Sequence, residues 1–423
     1  MLSLEDNELL TRTGPGTPMG DLMRRYWIPA LLSEQLLEPD CPPVRLQLLG
    51  EHLVAFRDSA GRVGLVDQHC PHRGASLFFG RNEEGGLRCV YHGWKYDVDG
   101  RCVDMPNEPT ESNFKHKVTV RAYPCLERGG LVWAYMGPSE LRPAPPEMEW
   151  AVVPESHRHV TRRWQETNWL QALEGGFDPT HLAFLHRGAR PATPILATRP
   201  WTAPPSESAL LATGCGLMFG NRQPAGSSQT LWSVNQWMLP FHKLITVTAE
   251  GSPYGVHAWV PIDDENCMLY TIEYRPDRPL TLDEVESIKR YAFIHAATLP
   301  GSDRTVLNKG NDYLIDRELQ RSGESFTGIK GIGQQDSAIQ ESMGRILDRT
   351  REHLGTSDCF IIAIRRYLLE TLRGLKEGRT PPGLDPATHR IRSAAVVADV
   401  DETFADAVSH AVIARAPAYA ASS

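Results

Sequence analysis

A chain of 423 residues with 41 % hydrophobic residues, 23 % charged residues and a formal net charge of -8 has room for two cores and the composition of a folded globular protein. Mild acidity without a basic block interleaved with aromatics excludes a phosphate-tracking nucleic-acid binder, and no apolar run reaches the roughly 18 residues of a membrane span. The start, MLSLEDNELL, is acidic where a secretion signal would be basic, so the expected compartment is the cytoplasm, with neither nucleic acid nor membrane as partner.

Residues 1–43 read as a helical lead-in: PMGDLMRRYWIPALLSEQL spaces its apolar residues helically and is interrupted by Pro29. Residues 44–140 change character. Short alternating runs such as VRLQLLG, HLVAFRD, VGLVDQ and LVWAYMG stand between turns such as DSAGR and DVDGR, the pattern of a compact all-β module. The proline-rich connector GPSELRPAPPEMEWAVVP marks a boundary, and a second domain is expected over 150–410. It opens with helical signals in NWLQALEGGFDPTHLAFLHRG, where Asp178 can cap a helix and Pro179 can take its first position. Runs over 208–276, from ALLATGCGLMFG to CMLYTIEYRP, suit an antiparallel sheet, and helices are expected at 281–298, 334–353 and 359–377. The tail, 411–423, is low in complexity and expected to be flexible. The fold class is therefore α+β, an all-β module followed by a domain in which helices flank an antiparallel sheet.

Eight cysteines in so long a chain lack the density of a disulfide framework. In CPHRGASLFFGRNEEGGLRCVYHG, Cys70 and His72 form one clip and Cys89 and His92 another. Zinc usually takes Cys with Cys and His with His, although mixed sites occur. A Rieske 2Fe-2S cluster needs two thiolates on one iron and two imidazoles on the other, which two facing Cys/His clips supply. The cluster fits the pattern better; zinc and a metal-free module remain the alternatives. Neutral imidazoles place such a cluster at roughly -150 to +300 mV, against about -400 mV for plant-type clusters.

This stretch resembles the cluster-binding pattern of the Rieske oxygenases, with Cys70, His72, Cys89 and His92 on the ligand positions and Trp94 as the aromatic after the second clip. Farther on, EGGFDPTHLAFLH holds Asp178, His181 and His186. Non-haem ferrous oxygenases bind iron with two histidines and one carboxylate and leave open positions for dioxygen and substrate. Five helical steps do not return to one face, so the two imidazoles must converge through rotamers or a local distortion. The resemblance implies His181 and His186 as iron ligands, and Asp178 as a catalytic bridge from His181 to His92 of a neighbouring subunit. It thereby implies a homo-oligomer, a trimer or a multiple of it, and a helix-grip-like catalytic domain.

For the third iron ligand, GIGQQDSAIQESMGRILDRTREHLG offers Asp336, Glu341 and Asp348. Asp336 follows a glycine-rich loop, precedes the apolar series Ile339, Met343 and Ile346, and falls where the family has its distal aspartate. Asp348 reads as a surface charge. Glu174, one turn before Asp178, reads equally as a supporting residue or a plain helix acid; His69 reads as a packed or surface residue, and His242 and His257, in sheet segments that could line a pocket, as histidines that satisfy local hydrogen bonds.

The opening SLEDNELLTRTGPGTPMGDLMRRYWIPAL and the distal QDSAIQESMGRILDRTREHLGTSD resemble the phthalate dioxygenase branch. That resemblance implies a terminal oxygenase, fed by a separate flavin and iron-sulfur reductase, that uses O2 to oxidise an aromatic carboxylic acid. The chemistry would be ring dihydroxylation or O-demethylation of a methoxy group. A carboxylate substrate wants a cation in an apolar pocket, and Arg222, Lys243 and His242, near Trp232, Trp237 and Phe241, are candidates. The competing reading is a Rieske electron-transfer protein without oxygenase chemistry.

Overall fold

A computed structural model describes residues 2–109, 111–188, 205–246 and 252–414. By contact the chain divides into a unit of Thr13–Pro145 and a unit of Met1–Arg12 with Pro146–Ser423.

The Thr13–Pro145 unit is built from three small antiparallel sheets. Glu51–Arg57 pairs with both Val44–Leu48 and Val63–Asp67, and its Leu53–Phe56 stretch is buried. The hairpins Arg81–Glu83 with Gly86–Arg88 and Lys95–Tyr96 with Cys102–Asp104 form a second sheet. Their core gathers Phe56, Leu77, Leu87, Trp94 and Tyr96 around Cys70 and Cys89. The expected helical lead-in is only partly helical. Pro18–Met23 is a short helix capped by the Thr17 hydroxyl, but Trp27–Leu32 is an edge strand paired with Leu131–Tyr135. An edge strand with a bulge beside Pro29 accommodates the missing N–H, and burial of nearly the whole WIPALL run decides against a helix.

The other unit carries an eight-stranded antiparallel sheet. Its path runs from Arg158–Gln165 through Cys267–Tyr274, Tyr254–Pro261, His242–Ile245, Gln229–Met238 and Gly216–Pro224 to Glu207–Thr213, with Ala394–Asp399 also paired to Gln229–Met238. Directly paired residues share a face, so Lys243 opposite His257, Phe219 opposite Asn235 and Asn221 opposite Ser233 stand on the same side. The opposite side packs Met218, Trp232 and Val234 against Ala394, Ala398, Phe404 and Val408.

Helices cover the first side. Phe177 of the Trp169–Phe177 helix and Phe360 of the Cys359–Lys376 helix both lie against Phe219, with ring centroids 4.9 and 4.8 Å away. Two helices are shorter than expected. Leu282–Lys289 starts at the Thr281/Glu284 capping box and stops before Tyr291, whose φ is 52°. Ile332–Ser342 stops before Gly344, whose φ is 93°. Ile339 and Met343 are exposed, and the buried face of that helix is instead amide-rich, with Gln334, Gln335 and Gln340. Residues 415–423 of the expected flexible tail lie outside the described residues. Among those described, no helix is long and apolar enough to cross a membrane.

Candidate metal centres and substrate pocket

Cys70 and Cys89 open two turns of the same construction. Cys70 N–H donates to the Ala75 carbonyl at 2.8 Å and Gly74 N–H donates back to the Cys70 carbonyl at 2.9 Å. Cys89 repeats this with Trp94 at 2.8 Å and Gly93 at 3.0 Å. Gly93 closes its turn at φ 80°, and a Cβ there would fall 2.5 Å from Pro106 Cγ, so only glycine fits. The two thiols are buried and unbridged, while His72 and His92 are half-exposed with ring centroids 4.5 Å apart. Trp94 stacks on His72 at 4.1 Å, and the Tyr96 hydroxyl lies 3.3 Å from Cys70 Sγ. Burial pushes the Cys89 thiol up, and the neighbouring Cys70 adds to that.

The four side chains are thus sorted by type, thiols inward and imidazoles outward. A single tetrahedral zinc ion needs all four donors within about 4 Å of one another. Among the described residues, the one group of three or more potential metal ligands whose donor atoms meet within 4.8 Å is a different one: His181, His186 and Asp336. Two bridged irons fit the first arrangement where one zinc does not.

The second group depends on how a helix ends. Asn168 caps the Trp169–Phe177 helix, accepting Leu170 N–H at 3.0 Å. Asp178 terminates it with extended backbone (φ -73°, ψ 118°), and its Oδ1 accepts both the N–H and the hydroxyl of Thr180, each at 2.7 Å. Asp178 is therefore the end of one helix and not the start of a continuous second one; only a short 3-10 turn, His181–Ala183, follows. That break removes the spacing problem. With no α-helix across 181–186, the two imidazole centroids come within 5.0 Å.

Asp336, in the second turn of Ile332–Ser342, completes the group, with Oδ1 3.4 Å from His181 Nε2 and 3.2 Å from His186 Nε2. No lysine or arginine among the described residues comes within ion-pair distance of it. Burial pushes the Asp336 carboxyl up, but the two imidazoles outweigh it and hold the acid well below the usual range. Burial likewise disfavours charge on His186, and Asp336 overcomes that. Two nitrogens and one carboxylate oxygen facing a common point are the donor set of a ferrous oxygenase site. Asp348 is exposed and caps the next turn, and Glu341 accepts Glu166 N–H at 3.0 Å, so neither joins.

Around this centre lies a pocket formed by the first side of the sheet and the flanking helices. Phe219, Ile245, Leu269, Ile294 and Phe360 supply apolar wall; Asn221, Gln223, Ser233 and Asn235 supply a polar one. Of the three cationic candidates only Lys243 lines it. Arg222, on the opposite side of its strand, is tied to Glu207 at 2.7 Å and to the Val400 carbonyl; His242 faces Trp150, and Trp232 belongs to the other core. Trp237 and Phe241 do not line the pocket, whereas His257 does. Lys243 Nζ donates to the Gly176 carbonyl and lies 5.3 Å from the Phe177 ring, with no carboxylate among the described residues in ion-pair reach. Burial pulls its amine down to about 8, against the opposing pull of Asp336 and Asp178. Of the remaining residues read from the sequence, His69 is exposed beside Asp67, and Glu174 is buried between Arg349 and Arg365, at 2.9 and 2.6 Å.

The chain matches the Rieske [2Fe-2S] domain family over residues 26–124 and the "LigXa C-terminal domain like" family over residues 134–403. It is 42 % identical to the 3-chlorobenzoate-3,4-dioxygenase oxygenase subunit of Comamonas testosteroni, over 92 % of this chain and 93 % of that one. It is 38 % identical to the phthalate 4,5-dioxygenase oxygenase subunit of Pseudomonas putida, over 90 % and 89 %. With the 5,5'-dehydrodivanillate O-demethylase oxygenase subunit of Sphingobium sp. (strain NBRC 103272 / SYK-6) the identity is 32 %, over 92 % and 85 %. Among solved structures, dicamba monooxygenase bound to 3,6-dichlorosalicylic acid shares the fold at a TM-score of 0.59 and 19 % identity, over 84 % of this chain and 99 % of that one. Sorted Cys/His clips, a two-histidine, one-carboxylate centre and these relatives converge on one conclusion: the chain belongs to the Rieske non-haem iron oxygenases, as an oxygenase subunit with a 2Fe-2S cluster and a mononuclear iron.

Proposed function

We propose that Cys70, His72, Cys89 and His92 hold the 2Fe-2S cluster, that His181, His186 and Asp336 hold ferrous iron, and that the substrate is an aromatic carboxylic acid. When bound, the cluster stores an electron delivered by a separate reductase, and the ferrous iron activates dioxygen. The protein's own groups orient and confine. Asp178 keeps Oδ1 on Thr180 and turns Oδ2 toward His181 Nδ1, 3.7 Å away, free to accept an imidazole N–H from His92 of a partner subunit. Such a bridge requires a homo-oligomer, a trimer or a multiple of it.

The observation that carries the substrate reading is Lys243, which has no carboxylate in ion-pair reach among the described residues, in a pocket beside the iron ligands whose other cation, Arg163, is held by the Ile294 and Gly333 carbonyls. A carboxylate there gains a charge-assisted hydrogen bond, and the apolar wall takes the ring. The names of the similar chlorobenzoate and phthalate oxygenase subunits support the same class. The test is turnover of aromatic acids with product analysis: a cis-diol identifies ring dioxygenation, and formaldehyde with a phenol identifies O-demethylation. Lys243→Met should lower kcat/KM for the acid by about 10- to 100-fold, the worth of one hydrogen bond to a charged group, and spare the matching methyl ester. Equal losses on acid and ester would refute the anchor.

A further inference from the structure

We infer that Gln335 is a positioning residue of the iron site, which fixes the nitrogen of His186 that faces the metal. The inference rests on the iron reading above. Gln335 Oε1 lies 2.7 Å from His186 Nδ1, and its Nε2 donates to the Ile329 carbonyl at 2.9 Å. Those two contacts leave the amide one orientation. A backbone carbonyl only accepts, so the NH2 end must face Ile329 and the oxygen must face the imidazole. An amide oxygen also only accepts, so the proton of neutral His186 sits on Nδ1, and the Nε2 lone pair points toward Asp336 and the shared metal position. The reversed amide would set two acceptors against each other 2.9 Å apart at Ile329.

The carbonyl that orients the amide is itself held. Gly328 and Gly331 bracket its loop at φ 72° and 81°, Ile329 N–H donates to Thr327 Oγ1 at 3.1 Å, and a Cβ on Gly328 would meet the Asp316 carbonyl at 2.2 Å. Gln335 is 1 % exposed, so no solvent water can replace its oxygen. Consecutive residues of one helix thus serve one ring, Gln335 holding Nδ1 and Asp336 facing Nε2 across the shared metal position. The two histidines are braced differently: His181 Nδ1 faces the carboxylate of Asp178, and His186 Nδ1 a neutral amide.

The test uses the cluster-loaded protein stripped of mononuclear iron and titrated with Fe(II), with the nitric oxide adduct followed by EPR. Gln335→Met keeps length and removes the acceptor; Fe(II) affinity should fall by about 10- to 100-fold, the usual cost of losing such a support. The adduct signal should broaden as His186 samples both tautomers, while the Rieske absorption and EPR stay at parental values. Gln335→Glu, kept protonated by burial and by the facing Ile329 carbonyl, retains an acceptor for His186 Nδ1 and a donor for Ile329, and should recover affinity to within about tenfold of the parent. A methionine variant with parental affinity and an unbroadened adduct overturns the inference. If that variant does not fold, the glutamate variant decides: a loss as large as that of His186→Ala overturns it, and retention supports it. A parent protein that binds no mononuclear Fe(II) would refute the iron reading instead, a separate outcome.

Discussion

At the scale of single residues, the sharpest consequences lie at the proposed cluster ligands. Tyr96 is fully buried, and burial followed by the neighbouring Cys70 pushes its phenol far up, so the hydroxyl stays protonated and acts as donor to Cys70 Sγ. A hydrogen bond to a cluster sulfur favours the more negative, reduced state. Tyr96→Phe should therefore lower the midpoint potential by about 60 mV, taking ~1.4 kcal/mol for the lost bond and 59 mV per tenfold for one electron. A redox titration followed by EPR measures it, and an unchanged or raised potential would contradict the assigned donor.

At the scale of elements, the helix that ends at Asp178 is anchored by charge as well as by packing. Glu174 receives Arg349 and Arg365 in a fully buried cluster, and Arg365 also pairs with Glu352 at 2.5 Å. Removing one member of a buried network strands the others, so Glu174→Ala should cost roughly 3–5 kcal/mol, read from denaturant unfolding of the parent and the variant. Burial pushes the Glu174 carboxyl up, but the two guanidiniums outweigh it and hold its pKa below the ordinary value. A depressed folded pKa contributes stability that is complete above the unfolded value and lost as pH falls through the folded one. The parent should loosen below about pH 4, and Glu174→Ala should show a shallower acid dependence across that range. Equal acid sensitivity in both would assign the acid response to other carboxylates.

At the scale of the whole molecule, the proposed bridge makes an arithmetic prediction about mixed oligomers. Asp178→Asn leaves every proposed metal ligand intact, so both centres should load while turnover falls by about 10- to 100-fold. His92→Ala removes a cluster ligand but leaves its own Asp178 intact. If the bridge crosses a subunit boundary, co-expressing the two variants creates interfaces with an intact His92 on one side and an intact Asp178 on the other. Turnover in the mixture should rise well above that of either variant oligomer alone. A mixture as inactive as its parents, or a monomer by light scattering, would refute a route between subunits.

The sequence by itself determined the features that are local in the chain. Each Cys/His clip lies within a few residues, closed by its own backbone hydrogen bonds and a glycine, and Asp178, His181 and His186 lie on one short segment. Residue type and spacing therefore pointed to the Cys/His clips, while resemblance to a family implied the roles of His181, His186 and Asp178 and supported Asp336, which its glycine-rich loop and helix position had already singled out. Tertiary structure decided what depends on which way a strand faces. His242 and Lys243 are adjacent, yet only Lys243 enters the pocket, while Arg222 leans to the other side and His257 turns inward. A sheet covered on both faces shows no clean alternation of polar and apolar residues, as VHAWVP illustrates with every position buried, so parity cannot be read until the strands are paired. Gln335 escaped for the same reason: its partners His186 and Ile329 meet it only when the helix is docked, and a buried amide leaves no periodic trace in the chain.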